Sequence, residues 1–150
     1  MLNQALLEHT FPFKASFAVQ RDGTLLLSCV IATRKAFLAN KQLTYRCRVR
    51  TKEDAKEVLL FESLEEKGTG LTAMGDDDGD TGFGAGFKVE RYDTRRSARQ
   101  PTIEEQSRQF ATTYQYTFDY TQVRGTVEAL AAREGYTVRA DLGEREVIRG

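Results

Sequence analysis

Between Ala15 and Leu64 apolar segments are punctuated by short polar turns, and in the later ones apolar and polar residues alternate, the spacing of strands that bury one face. Ala15–Val19 and Leu25–Ala32 flank Arg21-Asp22-Gly23-Thr24, and Asp-Gly supplies the positive backbone angles of a tight turn, so this stretch predicts a hairpin. Its second arm is apolar on both faces, as expected of a central strand. After a polar connection over 33–42, Leu43–Val49 and Val58–Leu64 predict a second hairpin around Thr51-Lys52-Glu53-Asp54. Leu43, Tyr45, Cys47 and Val49 share one face, which Val58 and Leu60 join. Arg46, Arg48 and Arg50 share the other with Glu57, Leu59 and Phe61. That second face is amphipathic and expected to be half covered, its arginines paired with Glu57 or with acids on a helix.

Helical spacing is sparser. Leu2, Ala5, Leu6 and His9 predict at most a short helix, closed by Pro12. Thr102 and Glu105 form a capping box that starts a helix near Ile103, with Phe110 and Ala111 on its apolar stripe. Val123, Val127, Leu130 and Ala131 follow the i, i+4, i+7, i+8 rule, with Asp119 or Thr121 as cap and Gly135 as stop. Three further strands are predicted at Phe87–Tyr92, at 113–120 and at 136–142. In the second of these Tyr114, Tyr116, Phe118 and Tyr120 share a face. The tail 143–150 is expected to fray.

The order predicts one α+β domain over 1–150. Its expected core is a mostly antiparallel, curved sheet of six to seven strands, with two main helices on one side. The 113–120, helix, 136–142 succession resembles a βαβ unit and leaves a parallel pair possible. A long Gly/Asp-rich stretch, 68–86, interrupts the pattern. The run Gly68–Phe87 holds seven of the twelve glycines and four aspartates, too little apolar surface to form core, so it is expected to be a flexible insertion, followed by a basic loop at 93–100.

Composition excludes more than it selects. With 22 basic and 22 acidic residues the chain has no net field to draw it to nucleic acid or anionic lipid, and the apolar run Leu25–Ala32 is far too short to span a membrane. No secretory pattern opens the chain, so a cytoplasmic location is the expectation. Cys29 and Cys47 sit singly on separate strands and are expected to stay reduced. His9 is the single histidine, so any Ser-His-Asp or Cys-His arrangement must use it, and one His with two Cys on separate strands cannot supply a four-ligand structural zinc set.

Four groups of residues invite a chemical reading. Asp76, Asp78 and Asp80 space oxygens like the start of a calcium loop, but Thr81 and Phe87 stand where that loop needs glycine and glutamate, so no metal is expected. Gly82–Phe87 lacks the strand-before, helix-after context of a phosphate loop. Arg91, Arg95, Arg96 and Arg99 form a basic tract suited to an anion. Tyr114, Tyr116 and Tyr120 suit either core packing or a partly wet ligand cavity. No cofactor is expected. The leading expectation is a non-catalytic binding or interaction domain, with another protein or a small anionic ligand as partner. The alternatives are a small enzyme using carboxylates and tyrosines between sheet and helix, and weak nucleic-acid or anion binding through arginines.

Overall fold

The structure, a computed structural model, describes residues 1–36, 39–70, 88–90, 102–111, 114, 116 and 118–150. The chain begins with helix α1 (Leu2–Glu8), strand β1 (Ala18–Val19), and the long strands β2 (Leu25–Ala36), β3 (Ala39–Lys52) and β4 (Glu57–Gly70). Strand β5 (Lys88–Glu90), helices α2 (Ile103–Ala111) and α3 (Thr121–Arg133), strand β6 (Thr137–Arg139) and helix α4 (Glu144–Arg149) follow.

The class is α+β, but the sheet is mixed. Five strands run in the order β1-β2-β3-β4-β5, each antiparallel to its neighbour, and β6 joins β4 in parallel. The parallel β6 makes mixed a sheet that was expected to be mostly antiparallel, with six to seven strands. The cause lies in β4, whose outer edge serves two partners. β5 pairs with Glu66–Gly68, while α3 returns the chain so that β6 runs beside Glu57–Leu59. Between them, residues 60–65 have no strand partner on that edge among the described residues. α2 enters this gap, and Gln106 Oε1 accepts the Leu64 N–H at 3.0 Å.

Local chemistry explains most elements. Asp22 Oδ1 accepts both the Thr24 N–H at 2.9 Å and its hydroxyl at 2.6 Å, while Gly23 takes φ +79°, closing the first turn. The capping box is realised at both bonds, Thr102 N–H to Glu105 Oε2 at 2.9 Å and Glu105 N–H to Thr102 Oγ1 at 3.3 Å. At the start of α3 the Thr121 N–H reaches Asp119 Oδ1 at 2.9 Å, and Gly135 at φ +78° follows its end. The polar connection expected over 33–42 is instead strand on both sides of the tip. Thr33 pairs with Gln42 and Lys35 with Asn40, since a cross-strand ladder needs no apolar side chain when both faces meet water.

The two faces of the sheet follow the alternation. Leu27, Leu43, Tyr45, Cys47, Val49, Val58, Leu60 and Leu64 are buried with Leu2 and Leu6 of α1 and Val123, Val127 and Ala131 of α3. On the opposite face Leu59 and Phe61 bury Val147 of α4. Helices therefore cover both faces, where one side was expected. The tail predicted to fray is α4, because Val147, invisible as a stripe in so short a segment, fills the half-covered arginine face.

The aromatic run at 114–120 is the other correction. None of its described residues lies in a strand. Its period-two pattern records burial instead: Tyr114 is buried, while Tyr116, Phe118 and Tyr120 pack partly buried against the core. Phe118 meets Tyr45 at 4.9 Å and Phe13 at 5.0 Å between ring centroids. Alternation tells which side is inward and does not by itself supply a backbone partner.

Candidate functional site: a buried carboxylate and an open sheet edge

Glu62 lies on the apolar face of β4, between Leu60 and Leu64 and opposite Cys47. Its side chain is 1% exposed. A carboxylate so placed is costly unless paired and fully hydrogen-bonded. Tyr45 Oη donates to Glu62 Oε1 at 2.6 Å and Arg124 Nε to Oε2 at 2.9 Å, with Arg124 Nη2 paired to the same oxygen at 2.7 Å. Arg124 follows the core residue Val123 in the first part of α3, which turns its stem inward. Its guanidinium also reaches Asp141 Oδ1 at 3.0 Å and Glu104 Oε1 at 3.7 Å. One arginine thus ties β4, α2, α3 and the segment after β6 together.

Electrostatics follow from burial. Desolvation raises the Glu62 carboxyl above its ordinary range, and the Tyr45 and Arg124 hydrogen bonds offset part of that rise. The Tyr45 hydroxyl is pushed far up, first by desolvation and then by the field of Cys47 and Glu62. For Arg124, desolvation opposes the charge but Glu62 and Asp141 outweigh it, so it is held protonated. Burial also raises the Cys29 thiol to about 11, and both cysteines are free. Beside Glu62 a cleft of about 30 Å³ is lined by Phe61, Thr102, Ile103, Arg124 and Asp141, room for roughly one water. Both Glu62 oxygens are engaged. The arrangement fastens helices to the sheet and offers little space to a reactant.

The arginine stripe of β3 is consumed in the same way. Arg46 bonds Glu65 at 2.8 Å and Glu144 at 2.9 Å. Arg48 bonds Glu144 at 3.2 Å, Asp22 at 3.0 Å and Thr24 Oγ1 at 2.7 Å. Arg50 Nε donates to the Val147 carbonyl at 2.6 Å and its Nη2 to the Ile148 carbonyl, capping the C-terminus of α4. Acids on a helix were expected as partners and Glu144 is one. Glu57 pairs instead with Arg139 at 3.4 Å.

Of the residues singled out from sequence, Arg91, Arg95, Arg96, Arg99, Asp76, Asp78 and Asp80 lie outside the described residues, as does most of the 68–86 stretch; Gly68–Gly70 end β4. Tyr114 donates to Glu66 Oε2 at 2.6 Å, and Tyr116 Oη to the Ser107 carbonyl at 3.1 Å. Tyr120 lies in the field of Glu104 and Glu62, and burial raises its hydroxyl. The Tyr114 and Tyr116 hydroxyls thus go to separate partners, Glu66 of β4 and Ser107 of α2. Glu62, Arg124 and Asp141 were missed. The signal was an acid at the inward phase of an alternating strand.

A second surface differs in kind. β1 pairs only with Leu25 and Leu26, so the outer edge of β2 from Leu27 to Ala36 has no strand partner among the described residues. Val30 on this strand is 52% exposed. From Leu25 to Lys52 the chain carries seven basic residues and no acid. Arg46, Arg48 and Arg50 are spent on α4, Asp22 and Glu65, and Lys41 on Glu66 at 3.2 Å. Arg34 and Lys35 stay exposed on the edge, with no salt bridge among the described residues, though Arg34 feels the field of Glu66.

No family model, curated protein or solved structure matches the chain. Among the described residues no group of three or more His, Cys, Asp and Glu is placed to hold a metal ion, and no helix is long and apolar enough to cross a membrane.

Proposed function

We propose that the protein is a non-catalytic interaction domain that receives a protein partner along the outer edge of β2. One observation carries the reading: a ten-residue edge, Leu27–Ala36, presents main-chain groups and an exposed valine with no described strand beside it. Unpaired edges are templates for another chain, and soluble proteins normally cover or shorten them. The polar groups that would serve chemistry support the same reading from the other side. Glu62, Tyr45 and Arg124 satisfy one another, with space beside them for about one water. The Arg46, Arg48 and Arg50 heads point to internal acceptors and are spent for nucleic acid.

The test is differential capture from a lysate of the source cells by three immobilised forms, wild type, Val30→Asp and Glu62→Gln. A protein held in near-stoichiometric amount by wild type and Glu62→Gln, and lost with Val30→Asp, is the expected result. Retention that depends on Glu62 and ignores Val30 would overturn the reading and return the buried carboxylate to candidacy as a working group.

A further inference from the structure

We infer that the partner segment is an extended acidic peptide with two adjacent acids, added as a strand beside the distal half of β2. This deepens the interaction-domain reading and rests on it. The register fixes where the recognition lies. Ile31 is the extra residue of an irregularity between Val30, which pairs with Thr44, and Ala32, which pairs with Leu43. Beyond it the ladder is regular from Ala32 to Ala36, so an incoming strand has an unbroken template there, with the exposed Val30 just short of its end.

On that template Arg34 and Lys35 are consecutive and exposed, and consecutive strand residues point to opposite faces. Arg34 lies opposite Lys41 on the face that carries Leu43, while Lys35 lies opposite Asn40 on the other. An added strand therefore meets one cation on each face. It complements both only if two neighbouring residues are acidic, one per face, with the remaining positions suited to a strand. A polypeptide is favoured over a nucleic acid because the edge offers alternating main-chain donors and acceptors, which a phosphate backbone does not match.

The same features oppose pairing of β2 with the β2 of a second copy of this chain. Its own edge brings Arg34 and Lys35 and no acid anywhere in Leu25–Lys52, so β2 pairing with β2 gathers like charge along a basic hairpin. Edge cations and a bulge are common devices against self-pairing. Here they also act as a selector, because what repels another basic edge attracts an acidic one.

The experiment uses the full chain and a blocked peptide with two adjacent glutamates flanked by valine and threonine, beside a twin with two lysines, an oligouridylate, and the Arg34→Glu/Lys35→Glu variant. Calorimetry should detect the acidic peptide and not the lysine twin, with affinity falling as salt rises. Amide exchange should slow in Ala32–Ala36, and the double variant, with an unchanged unfolding midpoint, should bind roughly tenfold more weakly. Binding without slower exchange at those amides, equal binding of the twin, displacement by oligouridylate, or a concentration-dependent dimer protecting the same amides would each overturn the inference. If the acidic peptide fails while Val30-dependent capture persists, the acidic strand is wrong and the interaction domain stands.

Discussion

Replacing Arg124 by Met tests the assignment of the buried carboxylate most sharply. The substitution keeps the length of the stem and removes the guanidinium, so Glu62 retains only the Tyr45 hydroxyl among the donors described around it. Removing one partner of a buried pair costs about 3–5 kcal/mol, because the other charge is left uncompensated. Glu62 is 1% exposed but the Arg124 side chain is 20% exposed, which places the loss near the lower end, at about 3 kcal/mol. With a urea slope of about 2 kcal/mol/M the midpoint falls by roughly 1.5 M, which leaves a folded baseline in a domain of ordinary stability. The loss depends on pH with a defined sign. Burial raises the folded Glu62 carboxyl above its unfolded value, so the folded state takes up a proton first and acidification favours it. Without Arg124 that rise is larger. The deficit of Arg124→Met should be greatest near neutrality and shrink as pH falls through the folded Glu62 pKa. Adding Glu62→Gln should recover much of it at neutral pH. Urea unfolding of the four forms at several pH values gives both the coupling and its titration. A cost below about 1 kcal/mol at neutral pH, or one that does not change with pH, would refute the assignment.

Other consequences are measured the same way. Val147→Ala removes two methyl carbons from a fully buried site between Leu59 and Phe61, and should cost about 1–2 kcal/mol, read as a midpoint shift with unchanged slope. Glu144→Ala should cost less than a broken buried pair, about 0.5–2 kcal/mol, because Arg46 keeps Glu65 and Arg48 keeps Asp22 and Thr24. Hydrogen bonds from Thr24 and the charges of Arg48 and Arg50 hold the Asp22 carboxyl below its ordinary range. Its contribution is therefore present above the unfolded pKa and lost as pH falls through the folded one. Asp22→Asn should flatten the acid limb of the stability curve. Gly135→Ala forces a side chain into the left-handed region at φ +78° and should destabilise by about 1 kcal/mol or more, read in thermal unfolding.

Strand faces were more legible in the sequence than strand lengths. Leu43, Tyr45, Cys47 and Val49 on one side, with Arg46, Arg48 and Arg50 beside Leu59 and Phe61 on the other, follow from alternation alone. Thr102 and Glu105 announced α2 because a capping box is a local motif. What depended on distant partners was hidden. Nothing near Val147 indicates that Leu59 and Phe61, far earlier in the chain, need a cover, so α4 read as a loose tail. The tyrosine run had the right inward side and the wrong backbone, because β4 gives its edge to β5, β6 and Gln106. The buried acid was visible as a break in phase at position 62, but its neutralising arginine stands far along the chain on another element. Open edges are hardest to see, since they are defined by the absence of a neighbour and sequence records only what is present.

The interaction edge itself is tested most directly by photocrosslinking in the source cells, with a reactive residue placed in turn at Thr33 and Lys35 on β2, and at Asp54, Glu128 and Arg133 elsewhere on the exposed surface. A crosslinked protein of one mass arising from Thr33 and Lys35 alone is the predicted result. Adducts of the same pattern at all five positions, or none from β2, would contradict it.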